Sequence, residues 1–207
     1  MRLRARTSIL NPRGTLGFGF WNDPFALNLG QAGAARRIPA PPQAVWFFYG
    51  SPPHDLRLVP GLPGHGWKAA ALRMCSIPWI LLMPAMLIGF PLSRLPILRR
   101  FVVGAGQRLI LAKEEPLDLH LGAWHSYTIE WRPGRSEFFV DGRRVLRSDL
   151  ELPGPLGFVA WIDNQYAVLS PDRGARFGVL PLEAPQSLEI EGLAIQSLDV
   201  PPKSLTP

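Results

Sequence analysis

The stretch from Trp124 to Val145 constrains the fold of this chain more than any other. From Trp124 to Trp131 the residues alternate, placing Tyr127, Ile129 and Trp131 on one face and Ser126, Thr128 and Glu130 on the other. A period of two is that of a half-buried strand, and it is incompatible with the 3.6-residue period of a helix. Pro133-Gly134 then supplies a turn. Asp141-Gly142, a pair that tolerates positive φ, joins Glu-Phe-Phe-Val to Arg-Arg-Val as a β-hairpin. Three consecutive strands joined this tightly must run antiparallel.

The rest of the chain repeats the theme. Further strands are expected at residues 2–8, 16–21, 44–49, 67–74, 108–112, 156–161 and 188–197. Proline-rich loops at 38–42, 51–53 and 60–66 separate several of them. In the last strand Leu188 and Ile190 share one face while Leu193 and Ile195 fall on the other, so a bulge is expected at Gly192 to correct the phase. With 207 residues, 23 prolines and 20 glycines scattered between short apolar runs, the expectation is one all-β domain spanning 1–207. The lone Cys75 forms no intramolecular disulfide and indicates no redox compartment. The net charge of +6 comes from arginines spread along the chain rather than gathered into a stripe, which argues against nucleic acid as a partner. The N-terminal Met-Arg-Leu-Arg-Ala-Arg is not followed by an apolar run, so it does not read as a secretory signal.

One segment departs from the β-pattern. Residues 77–92 carry no charge, are interrupted by Pro78, Pro84 and Pro91, and are followed by Arg94, Arg99 and Arg100. A membrane-spanning helix needs about 20 apolar residues, and three prolines would remove backbone donors that hydrocarbon cannot replace. An apolar insertion at about 76–103 is therefore expected, containing a short helical or irregular excursion. Two readings of it stay open: packing on the sandwich, or an interfacial patch at residues 77–101 whose arginines meet anionic head groups at a membrane surface.

Trp124-His125-Ser126-Tyr127-Thr128-Ile129-Glu130-Trp131, followed by Phe138-Phe139-Val140-Asp141-Gly142, resembles glycoside hydrolase family sixteen, which includes laminarinases, lichenases and agarases. Gly17-Phe18-Gly19-Phe20-Trp21 resembles that family's strand ending in Phe-Trp, and residues 188–197 resemble its closing strand. The resemblance implies a concanavalin A-like jelly-roll sandwich of two antiparallel sheets. It also implies a β-linked polysaccharide or oligosaccharide as partner, and it allows a structural calcium whose ligands the sequence does not place. Hydrolysis in the family depends on a strand reading Glu-x-Asp-x-x-Glu, which points two carboxylates onto one concave face. The corresponding segment here, Gln43-Ala44-Val45-Trp46-Phe47-Phe48-Tyr49, contains no acid, and the hexapeptide occurs nowhere in the chain. Only about a dozen residues precede the Gly-Phe-Trp segment, so an N-terminally incomplete jelly roll is expected, with exposed sheet edges available for self-association. A gene start placed too late would produce the same appearance.

Sugar binding needs aromatic faces for the apolar side of a pyranose and amides or carboxylates for its hydroxyls. The candidate carbohydrate-binding residues are Trp21, Asn22 and Asp23, Trp46, and Trp161 with Asp163, Asn164 and Gln165. Each tryptophan could instead fill core and each Asn or Asp cap a turn, so their convergence is what would be informative. His125 reads as structural, and the four histidines show no metal-ligand spacing. There is no nucleophile elbow and no phosphate-binding glycine loop, and Gly17-x-Gly19 lies within a strand. The expectation is a glycan-recognising or structural module without catalytic residues. The alternatives are a hydrolase using displaced acids such as Asp23 or Asp163, and a peripheral membrane protein.

Overall fold

The computed structural model describes residues 1–22, 41–75, 84, 87–89 and 91–197. Asp23 and residues 76–83, 85–86 and 90 of the insertion lie outside them. The chain forms an all-β sandwich. One antiparallel sheet has the order β13-β1-β7-β8-β9, built from β1 (Arg2–Thr7), β7 (His125–Arg132), β8 (Arg135–Val140), β9 (Arg143–Ser148) and β13 (Leu188–Ala194). The second has the order β10-β2-β3-β5-β6, from β2 (Thr15–Trp21), β3 (Gln43–Gly50), β5 (Gly66–Met74), β6 (Ile110–Pro116) and β10 (Gly157–Asp163), and it too is antiparallel throughout.

Alternation along each strand builds the core between the sheets. Leu3 and Ala5 of β1, Tyr127 and Ile129 of β7, and Phe138 and Val140 of β8 face Leu16 and Phe18 of β2, Val45 and Phe47 of β3, and Trp67, Ala69 and Ala71 of β5. Aromatic rings knit the two layers: Phe47 meets Tyr127 edge-on at 4.9 Å and Phe138 at 5.5 Å between centroids. Such offset and edge contacts stabilise beyond the area they bury.

The Asp-Gly hairpin joins β8 to β9 as the sequence indicates, with Asp141 at φ 49° and Gly142 at 78°. Asp141 also does a second job. Its Oδ2 lies 2.7 Å from His125 Nδ1 and its Oδ1 accepts the Ser126 N–H at 2.8 Å, tying the turn back to the start of β7. That clasp ties the His-x-Tyr strand to the Asp-Gly turn. Gly192 sits at φ 61° where the β1–β13 register slips, Arg2 pairing with Ala194 and Arg4 with Glu191, which is the expected bulge. β1 is not an edge strand: it lies between β13 and β7.

Three strands go beyond the sequence reading. β4 (Asp55–Leu56), β11 (Gln165–Ser170) and β12 (Gly174–Val179) form a small third sheet, with β11 pairing antiparallel to β12 and parallel to β4. A strand expected at 108–112 is corrected in its start: helix α1 (Arg99–Arg108) runs through Arg108, and β6 begins only at Ile110. α1 turns Val103 inward and packs against β6, β11 and β12, so the described part of the insertion is docked on the sandwich and contains the helical excursion. Among the described residues no helix is long and apolar enough to cross a membrane.

Candidate functional site

The outward face of the second sheet carries the side chains that alternation denies to the core. On β2 these are Thr15, Gly17, Gly19 and Trp21, and on β3 Ala44, Trp46, Phe48 and Gly50. Cross-strand register sets Trp161 of β10 beside Gly17, and Gly17 beside Phe48. Gly19 lies beside Trp46. The glycines make room for rings. A Cβ on Gly17 would lie 2.6 Å from Trp161 Cη2 and 2.4 Å from the Phe47 carbonyl oxygen, and one on Gly19 would lie 2.5 Å from Trp46 Cα. Gly19 also has φ 153°, which favours glycine.

Four aromatic side chains meet on this floor. Trp46 is the hub, with ring centroids 5.7 Å from Trp21, 5.8 Å from Phe48 and 5.4 Å from Trp161. Phe48 and Trp161 close the cluster at 5.9 Å. All three indoles are partly buried rather than enclosed. The structure therefore brings together Trp21, Trp46 and Trp161, which are far apart in the chain.

The polar candidates behave differently. Asp163 Oδ1 accepts from Thr15 Oγ1 at 2.9 Å, the Gln165 N–H at 2.9 Å and the Thr15 N–H at 3.4 Å. Thr15 Oγ1 in turn accepts the Trp161 indole N–H at 3.1 Å. This relay fixes the Trp161 ring and joins β10 to β2. Asn22 donates to the Pro41 carbonyl and accepts the Gln43 N–H, clamping the ends of β2 and β3. Asn164 donates to the Leu180 carbonyl and holds the end of β12. Gln165 opens β11 and is exposed. Three of the four described polar candidates thus organise backbone around the aromatic cluster.

Sequence reasoning did not single out Phe48, Lys68, Glu114 or His54. Lys68 and Glu114 stand on the same face, on β5 and β6, where Lys68 Nζ donates to both Glu114 carboxylate oxygens at 3.2 and 3.3 Å and to the Pro63 carbonyl. Both side chains are only 3% exposed. Leu56 and Leu58 cover them, and these residues with Trp46, Phe48 and Ala70 line a small depression. Burial pushes the Glu114 carboxyl above the ordinary range, with the Lys68 ammonium opposing it. The signal available in the sequence was a single charge, Lys68, inside the apolar strand Trp-Lys-Ala-Ala-Ala-Leu.

His54 closes the far side of the cluster, its ring 5.2 Å from Phe48. Its Nδ1 accepts the Ala167 N–H of β11 at 3.2 Å, linking the small sheet to the aromatic floor. Burial, reinforced by the Lys68 charge, pulls its pKa down to about 4, so the imidazole is neutral at physiological pH.

Two carboxylates among the described residues of these strands alternate onto the outward face, and they are at opposite edges. Asp163 is on β10 and Glu114 on β6, four interstrand steps apart. At about 4.8 Å per step the separation along the sheet is roughly 19 Å. Paired acids in glycoside hydrolysis stand about 5–9.5 Å apart. The face is an aromatic cluster flanked by a buried ion pair. Among the described residues no cluster of His, Cys, Asp and Glu could hold a metal ion. No protein-family model matches the sequence, and no curated protein matches it.

Proposed function

We propose that this chain is a β-glycan-binding module on a concanavalin A-like jelly roll related to family-sixteen hydrolases, and that it binds without cleaving. The observation that carries this reading is the convergence of Trp21, Trp46 and Trp161 on one sheet face, seated over Gly17 and Gly19. Indole faces stack on the apolar side of a pyranose ring, and rings held by their neighbours lose little rotamer entropy on binding. The wide separation of Asp163 and Glu114, and the engagement of each in structural contacts, supports binding over hydrolysis.

The test is a glycan-array and hydrolysis screen of the purified chain beside a Trp21→Ala/Trp161→Ala variant whose folding is checked by circular dichroism. The expected result is binding to a β-linked glycan without release of reducing ends. The double variant should bind at least about tenfold more weakly, the equivalent of about 1.4 kcal/mol. A folded parent that binds no glycan would overturn the binding reading, and released reducing ends would overturn the non-hydrolytic one.

A further inference from the structure

Away from the aromatic face, the insertion between β5 and β6 presents an apolar surface to solvent. Ile97 is 85% exposed, Phe101 77%, Leu87 69% and Ile88 64%. Apolar side chains left this open singly would need no explanation, but these four belong to one segment of the chain, which is docked through Val103 of α1. Ile97 lies in the turn just before α1 and Phe101 in its first turn. Arg100 and Arg108 of α1 are both exposed, and Arg108, seven positions on from Phe101, shares its side of the helix.

The insertion itself is positively charged. Between β5 and β6 it contains Arg94, Arg99, Arg100 and Arg108 and not one Asp or Glu. The acid that reaches the rim is Asp172 of the β11–β12 turn, 3.6 Å from Arg100, in a pair exposed on both sides. Such a pair is screened and weak, and it leaves the guanidinium available to a stronger anion.

We propose that this surface docks on an anionic lipid bilayer. Leu87, Ile88, Ile97 and Phe101 enter the boundary between head groups and acyl chains, while Arg100 and Arg108 meet the lipid phosphates and carboxylates. The charge pattern selects the occupant. A protein groove would have to match a particular shape, whereas a bilayer accepts protruding apolar tips of any arrangement and rewards arginines beside them. Because no described helix can span, the association is peripheral.

Co-sedimentation of the full chain with vesicles of phosphatidylcholine, with and without phosphatidylserine, tests this. The expected result is binding that requires phosphatidylserine and weakens with added salt. An Arg100→Ala/Arg108→Ala variant should partition about thirtyfold more weakly. An Ile97→Asp/Phe101→Asp variant should lose binding by at least about tenfold. These positions are exposed, so thermal unfolding should match the parent and separate lost docking from lost fold. No sedimentation with phosphatidylserine vesicles, equal binding to both compositions, or binding unchanged in both variants would each overturn the proposal. So would concentration-dependent dimerisation abolished by Ile97→Asp/Phe101→Asp without vesicle binding, which would assign the surface to a second copy of the chain.

Discussion

Replacing Lys68 with Met removes the partner of a carboxylate that has almost no access to water. Among the described residues Glu114 is held by the Lys68 side chain, through two hydrogen bonds at 3.2 and 3.3 Å. Breaking a buried ion pair from one side costs about 3–5 kcal/mol, because the surviving charge is left desolvated. For a chain of this length that is a drop in Tm of roughly 6–20 °C. The pH dependence distinguishes this cause from a packing defect. In the parent, burial raises the Glu114 pKa above its ordinary value of 4.5, so the folded protein holds that proton more tightly than the unfolded chain. A raised acid pKa makes stability fall as pH rises through the window above 4.5. Without the opposing ammonium the window extends further upward. The deficit of Lys68→Met relative to the parent should therefore be smallest near pH 4.5 and grow towards neutrality. Adding Glu114→Leu should restore most of the loss, since an apolar pair of similar volume needs no solvation. Urea unfolding of the parent and both variants across this pH range is the assay. A single variant that costs less than about 1 kcal/mol at neutral pH, or a pH-independent deficit, would refute the reasoning.

Two further outcomes are expected. Gly17→Ala should destabilise by roughly 1–3 kcal/mol, because its Cβ would meet the Phe47 carbonyl at 2.4 Å and the Trp161 ring at 2.6 Å; near-ultraviolet circular dichroism should show the indole displaced, and an unperturbed spectrum would count against the described seat. His54 should titrate by NMR with a pKa of about 4 rather than the ordinary 6.5, so the stability it shapes is present above 6.5 and is lost as pH falls towards 4; a His54 resonance shifting near pH 6.5 would contradict its burial.

The strands that alternate against a single core were legible from their residues. β7, β8 and β9 declare themselves through Tyr127, Ile129 and the Asp141-Gly142 turn, because local period and turn chemistry decide them. The bulge at Gly192 was legible for the same reason, since a phase slip in apolar residues has a local remedy. The third sheet was not. β4 has two residues and exists only because β11, more than a hundred positions away, offers it a partner. Asn164 and Gln165 read as hydrogen-bonding partners for a sugar beside Trp161, whereas Gln165 begins a strand and Asn164 fastens its neighbour. Lys68 and Glu114 are separated by 46 positions and by the whole insertion, so their pairing depends on which strands become adjacent. The convergence of the tryptophans is of the same kind: each was visible, and the register that assembles them was not.

β2 has a consequence of its own. Its first five residues, Thr15 to Gly19, are consecutively buried, where β7 buries only alternate ones. Phenylalanines occupy one side of the ribbon and bare backbone the other, with indoles lying on that backbone. From Thr15 to Gly19 a strand of this construction has no position free to drift. On the glycan-binding reading proposed above, new ligand preferences would not arise at Gly17 or Gly19, because an added Cβ there collides with a ring or with the neighbouring strand. Divergence has to proceed through the rings themselves, at positions 21, 46, 48 and 161, so that exchanging one flat side chain for another resets what the surface can hold while the ribbon beneath stays as it is.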